Sequence, residues 1–151
     1  MSLESASRPP EAAVDVEHWV LDSFTNLRRL RGSLFAALNG EPMPPDGQLD
    51  EVPEKMAIVA TELATNALVH GRPPTCVYLR RTEHTFLLDV VDEDPHTVPV
   101  RAGTRPPGAG GLGLHIVSEL ANATGWYTED RMKHVWAQFS IPPATTGREE
   151  Q

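Results

Sequence analysis

Glu62, Asn66 and His70 recur at every fourth position of the segment ATELATNALVHG, residues 60–71. On a helix that spacing stacks the three side chains along one face. Polar side chains in register on an otherwise apolar helix suggest a lined site. The same stripe would also serve as an ordinary solvated face, and His70 as a helix-end cation facing the dipole. A second candidate is Gly108-Ala-Gly110-Gly-Leu-Gly113, which spells G-x-G-x-x-G ahead of a helical pattern. Backbone N–H groups at such a helix start can face a phosphate, and glycine lets the ligand approach closely. A third is Asp92, at the end of the apolar run TFLLDVVD and followed by Glu93-Asp94-Pro95.

The glycine spelling is shared by several unrelated loops, and two can be set aside. A dinucleotide-binding turn needs a strand directly before the glycines and an acid at a strand end about twenty residues later. Arg101-Ala-Gly-Thr-Arg-Pro-Pro107 cannot be a buried strand, and Glu129 or Asp130 falls in an expected hairpin turn. A P-loop is excluded because no G-x-x-x-x-G-K-[ST] occurs.

The elements that must position these residues follow from periodicity. Val16–Phe24 is expected as a first strand, and residues 25–39 as a helix with Leu27, Leu30, Leu34, Ala37 and Leu38 on its apolar side and Thr25 as N-cap. A Pro/Gly-rich link over 40–48 leads to a helix over 53–71, with Met56, Val59, Leu63, Ala67 and Val69 on its apolar side. Strands are expected over 76–82 and 85–92, then a proline-rich loop to 110, a helix over 112–124 closed by Gly125, and a hairpin from 126–128 and 134–141. The predicted class is α+β: a two-layer sandwich whose mixed, mostly antiparallel sheet is covered by helices on one face. Residues 1–14 and 142–151 are expected as disordered tails around one domain, 15–141. The tryptophans 19, 126 and 136 are expected as core or interface anchors.

With 151 residues, a net charge of −8 and no basic stripe, the chain is not expected to bind nucleic acid directly. The cluster Arg28-Arg29-Leu-Arg31 suits a solvated helix face. No apolar run is long enough to span a membrane, the N-terminus lacks a signal peptide's apolar core, and the single cysteine, Cys76, allows no internal disulfide. A cytoplasmic protein is expected.

Together, ELATNALVHG, DVVDEDP, GGLGLHIVSELA and VWAQF, in that order over roughly residues 16–141, resemble the GHKL ATPase superfamily, whose fold is the Bergerat sandwich. More narrowly they look like the small anti-sigma-factor serine kinases of the RsbW and SpoIIAB kind. The resemblance implies ATP and Mg²⁺ as cofactors. It implies Glu62 as general base toward a substrate serine, Asn66 as the Mg²⁺ ligand, and Asp92 as the carboxylate that accepts from the adenine amine. Gly111 and Gly113, with Leu112 and Leu114 beside them, match the second glycine motif against the phosphates. Residues 96–110 match the ATP lid, from which Arg101 and Arg105 would reach the phosphates.

Two departures stand out. The superfamily's D-x-G-x-G is here Asp92-Glu-Asp94-Pro95-His96, and where many relatives have a threonine that helps hold adenine this chain has Lys133-His134. The implied function is an anti-sigma factor and protein-serine kinase that sequesters a sigma factor and phosphorylates a STAS-domain anti-anti-sigma partner, working as a homodimer through residues 16–39. The alternative is a regulator of the same fold that acts by binding alone.

Overall fold

In the computed structural model the described residues are Pro9 and positions 13–39, 51–94 and 112–141. The lid 96–110, with Arg101 and Arg105, and Gly111 lie outside them, as do most of both tails.

The chain runs β1 (Val14–Leu21), α1 (Thr25–Asn39), α2 (Glu51–His70), β2 (Thr75–Arg81), β3 (Thr85–Asp92), α3 (Leu112–Leu120), β4 (Ala123–Glu129) and β5 (Met132–Ser140). The strands form one sheet in the order β1-β2-β3-β5-β4. Every pairing among them is antiparallel, so the sheet is not mixed. β3 is central, and all eight of its residues are buried. That follows from TFLLDVVD, which is apolar on both faces and therefore suits a strand covered by neighbours on both sides.

Strand alternation sorts the side chains. Val77 and Leu79 of β2, Phe86, Leu88 and Val90 of β3, and Val135, Ala137 and Phe139 of β5 join one core with the helices. From α1 that core takes Leu30, Leu34 and Leu38; from α2 it takes Met56, Val59, Ala60, Leu63, Ala64 and Ala67. Burying each Val, Leu, Phe or Met among them contributes about 1.5–3 kcal/mol, and each Ala less. Asp92 and Lys133 point the same way as this core, whereas Asp89, His134 and Trp136 lie on the opposite face.

The expected elements are present with shifted ends. The final helix stops at Leu120 instead of running to Thr124, and Gly125 lies within β4. There Asn122 N–H donates to Gln138 O and the Thr124 hydroxyl to Trp136 O, so the sheet takes the groups a longer helix would have used. Thr25 opens α1 but its hydroxyl pairs with Ser23 Oγ; it is the Asn26 side chain that accepts from the Asp22 and Ser23 N–H groups. Val69, assigned to the apolar side of α2, is 52% exposed. Arg28, Arg29 and Arg31 are exposed, as expected of a solvated face. Trp19 and Trp126 pack at the core's edge, while Trp136 is buried on the other face. The β4–β5 turn is two residues, Asp130 and Arg131, both with positive φ (53° and 67°). That conformation matches the right-handed strand twist and sets Met132 opposite Glu129 and Lys133 opposite Thr128.

Candidate functional site

The site is built where the C-terminal end of α2 meets the end of β3. Glu62, Asn66 and His70 lie along α2 at one-turn spacing, each half-buried, and His70 directly precedes Gly71. Gly71 N–H donates to Ala67 O at 2.8 Å, and Glu93 N–H donates to Arg72 O at 3.1 Å, which ties the helix end to the residue after β3. Gly71 abuts the Asp92 side chain so closely that a Cβ there would overlap Asp92 Oδ2 and stand 2.8 Å from Ala67 O. The structure therefore brings Glu62, Asn66 and Asp92 onto one continuous piece of framework, helix and strand end locked through a glycine.

Asp92 is 1% exposed. Its Oδ1 accepts from Asp94 N–H at 2.7 Å, and its Oδ2 lies 3.5 Å from Lys133 Nζ. Burial pushes its pKa above the usual carboxylate value, against the opposing pull of the Asp94 N–H and the Lys133 ammonium; the Asp94 carboxylate pushes the same way as burial. Lys133 is the register partner of Asp92 on β5, and its own side chain is 5% exposed. On the other side, β2 pairs Cys76 with Val91, so Thr75 stands one residue on, level with Asp92. Thr75 is fully buried and its Oγ1 has no hydrogen-bond partner among the described residues. A buried hydroxyl without a partner calls for a water or a ligand atom. Thr75, Asp92 and Lys133 thus form a polar row across three adjacent strands, with Gly71 packed against its middle member.

Leu112, Gly113 and Leu114 form the first turn of α3, which packs against α2. That brings the helix start expected to face phosphates onto the same side of the sheet as Asn66. No cluster of three His, Cys, Asp or Glu side chains suited to a metal occurs among the described residues. An ion held by one amide oxygen and by phosphates needs none.

The opposite sheet face carries a second polar group that the sequence reading missed. Asp89, 0% exposed, accepts from Arg80 Nη1 at 2.6 Å and lies 3.0 Å from His134 Nδ1. Arg80 Nε also donates to Asp15 Oδ1 at 2.7 Å, and the His134 ring stacks on Tyr127 at 4.5 Å. Burial alone would lower the Arg80 pKa, but its hydrogen bonds to Asp15 and Asp89 raise it. Cys76 lies on the same face, and burial, then Glu93, push its thiol pKa up.

The sequence profile of the histidine kinase-like ATPase domain matches residues 24–139. The chain belongs to the histidine kinase-like ATPase family. Among solved structures, the RsbU and RsbW domains of Rv1364c from Mycobacterium tuberculosis match with TM-score 0.57 at 13% identity, over 85% of this chain and 34% of that one. This chain thus spans about a third of that protein. The histidine kinase domain of the E. coli osmosensor EnvZ matches at 14% identity with TM-score 0.43, over 95% of this chain and 99% of that one. No curated protein matches in sequence. As a histidine kinase-like ATPase of RsbW-like fold, the chain has its α/β sandwich accounted for. No helix among the described residues is long and apolar enough to cross a membrane.

Proposed function

We propose that this histidine kinase-like ATPase domain is a cytoplasmic ATP-binding anti-sigma factor and protein-serine kinase, acting on a sigma factor and on a STAS-domain anti-anti-sigma partner. The observation that carries the nucleotide site is the buried Asp92 carboxylate beside Gly71, with the orphaned Thr75 hydroxyl level with it. An acceptor and a hydroxyl with no partner among the described residues suit the edge of an adenine ring.

Bound ATP would supply the phosphoryl group, and Mg²⁺ would offset its charge. Asn66 offers its amide oxygen to that ion from mid-helix. Glu62, one turn earlier on the helix, would take the proton from a substrate serine as its oxygen bonds to the γ-phosphorus and the bond to the β,γ-bridging oxygen breaks. The first turn of α3, through the N–H groups around Gly113, would steady the phosphates. Arg101 and Arg105 would add cationic contacts from the lid, with Gly111 beside the phosphates.

Mixing the protein with a STAS partner and Mg²⁺-ATP should yield phosphoserine on the partner, read by mass spectrometry, and Glu62→Gln should remove it. Nucleotide binding without phosphoserine would leave the second reading, a regulator that acts by binding alone. What favours that second reading is Asp94, buried beside Asp92 in place of the superfamily's glycine. We also propose a homodimer through residues 16–39. Val20 and Phe24, 59% and 55% exposed on and just after the edge strand β1, support that face. Light scattering after size exclusion tests it, with a monomer counting against it.

A further inference from the structure

We infer that the base-reading end of this site takes 6-oxopurine nucleotides as well as adenine nucleotides, because Lys133 stands beside Asp92. The inference rests on the nucleotide site proposed above.

Three polar side chains lie level across the sheet on its helix side: Thr75 on β2, Asp92 on β3 and Lys133 on β5. Their hydrogen-bonding capacities differ. An ionised carboxylate only accepts, an ammonium only donates, and a hydroxyl does either. The Asp92 carboxylate is also fixed in place, with Asp94 N–H on Oδ1 and the Gly71 backbone pressed against its other side. Thr75 can suit any edge and Asp92 cannot move, so Lys133 decides what the row will tolerate.

A 6-aminopurine presents a donor at position 6 and an acceptor at N1. A 6-oxopurine presents an acceptor at position 6 and a donor at N1. A carboxylate alone would meet the 6-oxo group as acceptor against acceptor, leaving buried groups unpaired, and a site of that kind rejects the wrong edge strongly. With Lys133 Nζ 3.5 Å from Asp92 Oδ2, both edges are satisfied. The 6-amino ring donates its amine to Asp92 and accepts at N1 from Thr75, on the other side of Asp92 from Lys133. The 6-oxo ring donates N1–H to Asp92 and accepts at the oxygen from Lys133.

Calorimetric titration with Mg²⁺-ATP and with the Mg²⁺ salt of inosine triphosphate, which differs from ATP only at the purine edge, tests this directly. Wild-type protein is expected to bind the two within about tenfold of each other, and Lys133→Met to widen the gap to about a hundredfold through loss of the inosine nucleotide. Wild-type protein that binds ATP but not inosine triphosphate overturns the inference and leaves the nucleotide site standing. So does a Lys133→Met variant with an unchanged ratio. Failure to bind either nucleotide removes the site and the inference together. If Lys133→Met does not fold, as judged by circular dichroism, the wild-type ratio decides by itself.

Discussion

Gly71 and Asp92 are in contact with no room for a Cβ between them. The contact joins the helix that carries Glu62 and Asn66 to the strand that ends in the buried carboxylate. Gly71→Ala must displace either Asp92 or the last turn of α2, and overpacking of this kind costs about 1–3 kcal/mol. We expect a lower melting temperature by calorimetry and nucleotide affinity reduced at least about tenfold, since the carboxylate proposed to meet the base is displaced. An alanine variant with wild-type affinity would mean that nucleotide does not bind against Asp92.

Asn66→Ala is expected to remove the Mg²⁺ dependence of ATP binding while sparing most Mg²⁺-free binding, because one amide oxygen is lost and the base-binding row is untouched. Titration with and without Mg²⁺ makes the comparison. An unchanged Mg²⁺ effect would move the ion elsewhere.

Asp92 accepts most strongly from a purine when ionised, because the bond is then charge-assisted, and burial has raised its pKa from the usual 3.8. As pH falls, nucleotide affinity should therefore drop at a higher pH than for an ordinary aspartate. The sign for stability is opposite: between the usual and the raised pKa the native state holds the extra proton, so this group's contribution to stability declines as pH rises through that window. Affinity against pH for wild type and Asp92→Asn provides the check, the variant showing weak binding without that step.

Asp89→Ala should destabilise the fold by about 2–3 kcal/mol, less than the 3–5 typical of a fully buried pair, because the Arg80 guanidinium keeps some access to water. The Arg80 side chain is 23% exposed and that of Asp89 1%. Denaturant unfolding measures it, with nucleotide affinity staying near wild type because Asp89 lies on the other face of the sheet.

Replacing Asp130-Arg131 with Asn-Gly should stabilise the protein. Both residues hold positive φ, which costs a side-chain-bearing residue about 1–2 kcal/mol, and Asn-Gly is favoured in that turn. A melting temperature that stays put or falls would count against a strained turn.

Much of this was legible in the chain itself. The central strand, Thr85–Asp92, is predictable because eight mostly apolar residues in a row have nowhere to go but the middle of a sheet. The stripe Glu62, Asn66, His70 needed only helical spacing. What could not be read was anything that depends on register. Asp89 and Asp92 differ by three positions, so they point to opposite faces and serve different networks. Asp89's partner Arg80 lies on a neighbouring strand, and no local pattern announces it. The helical pattern continues locally through Ala121, Asn122 and Ala123, yet only the Ala121 N–H stays helical, donating to Val117 O, while Asn122 and Ala123 are claimed by β5. Lys133 was visible as a substitution, but that it touches Asp92 follows only from the β3–β5 pairing.

That pairing also sets when the site can exist. β5 comes after β4 in the chain, yet it inserts between β3 and β4 in the sheet. At about 5–20 residues per second, a ribosome finishes Asp92 seconds before it delivers Lys133. Until then β3 has a raw edge and a carboxylate without its cation. A nascent chain therefore carries Glu62, Asn66 and Asp92 without Lys133, and the final hairpin completes the sheet and delivers that cation in the same act.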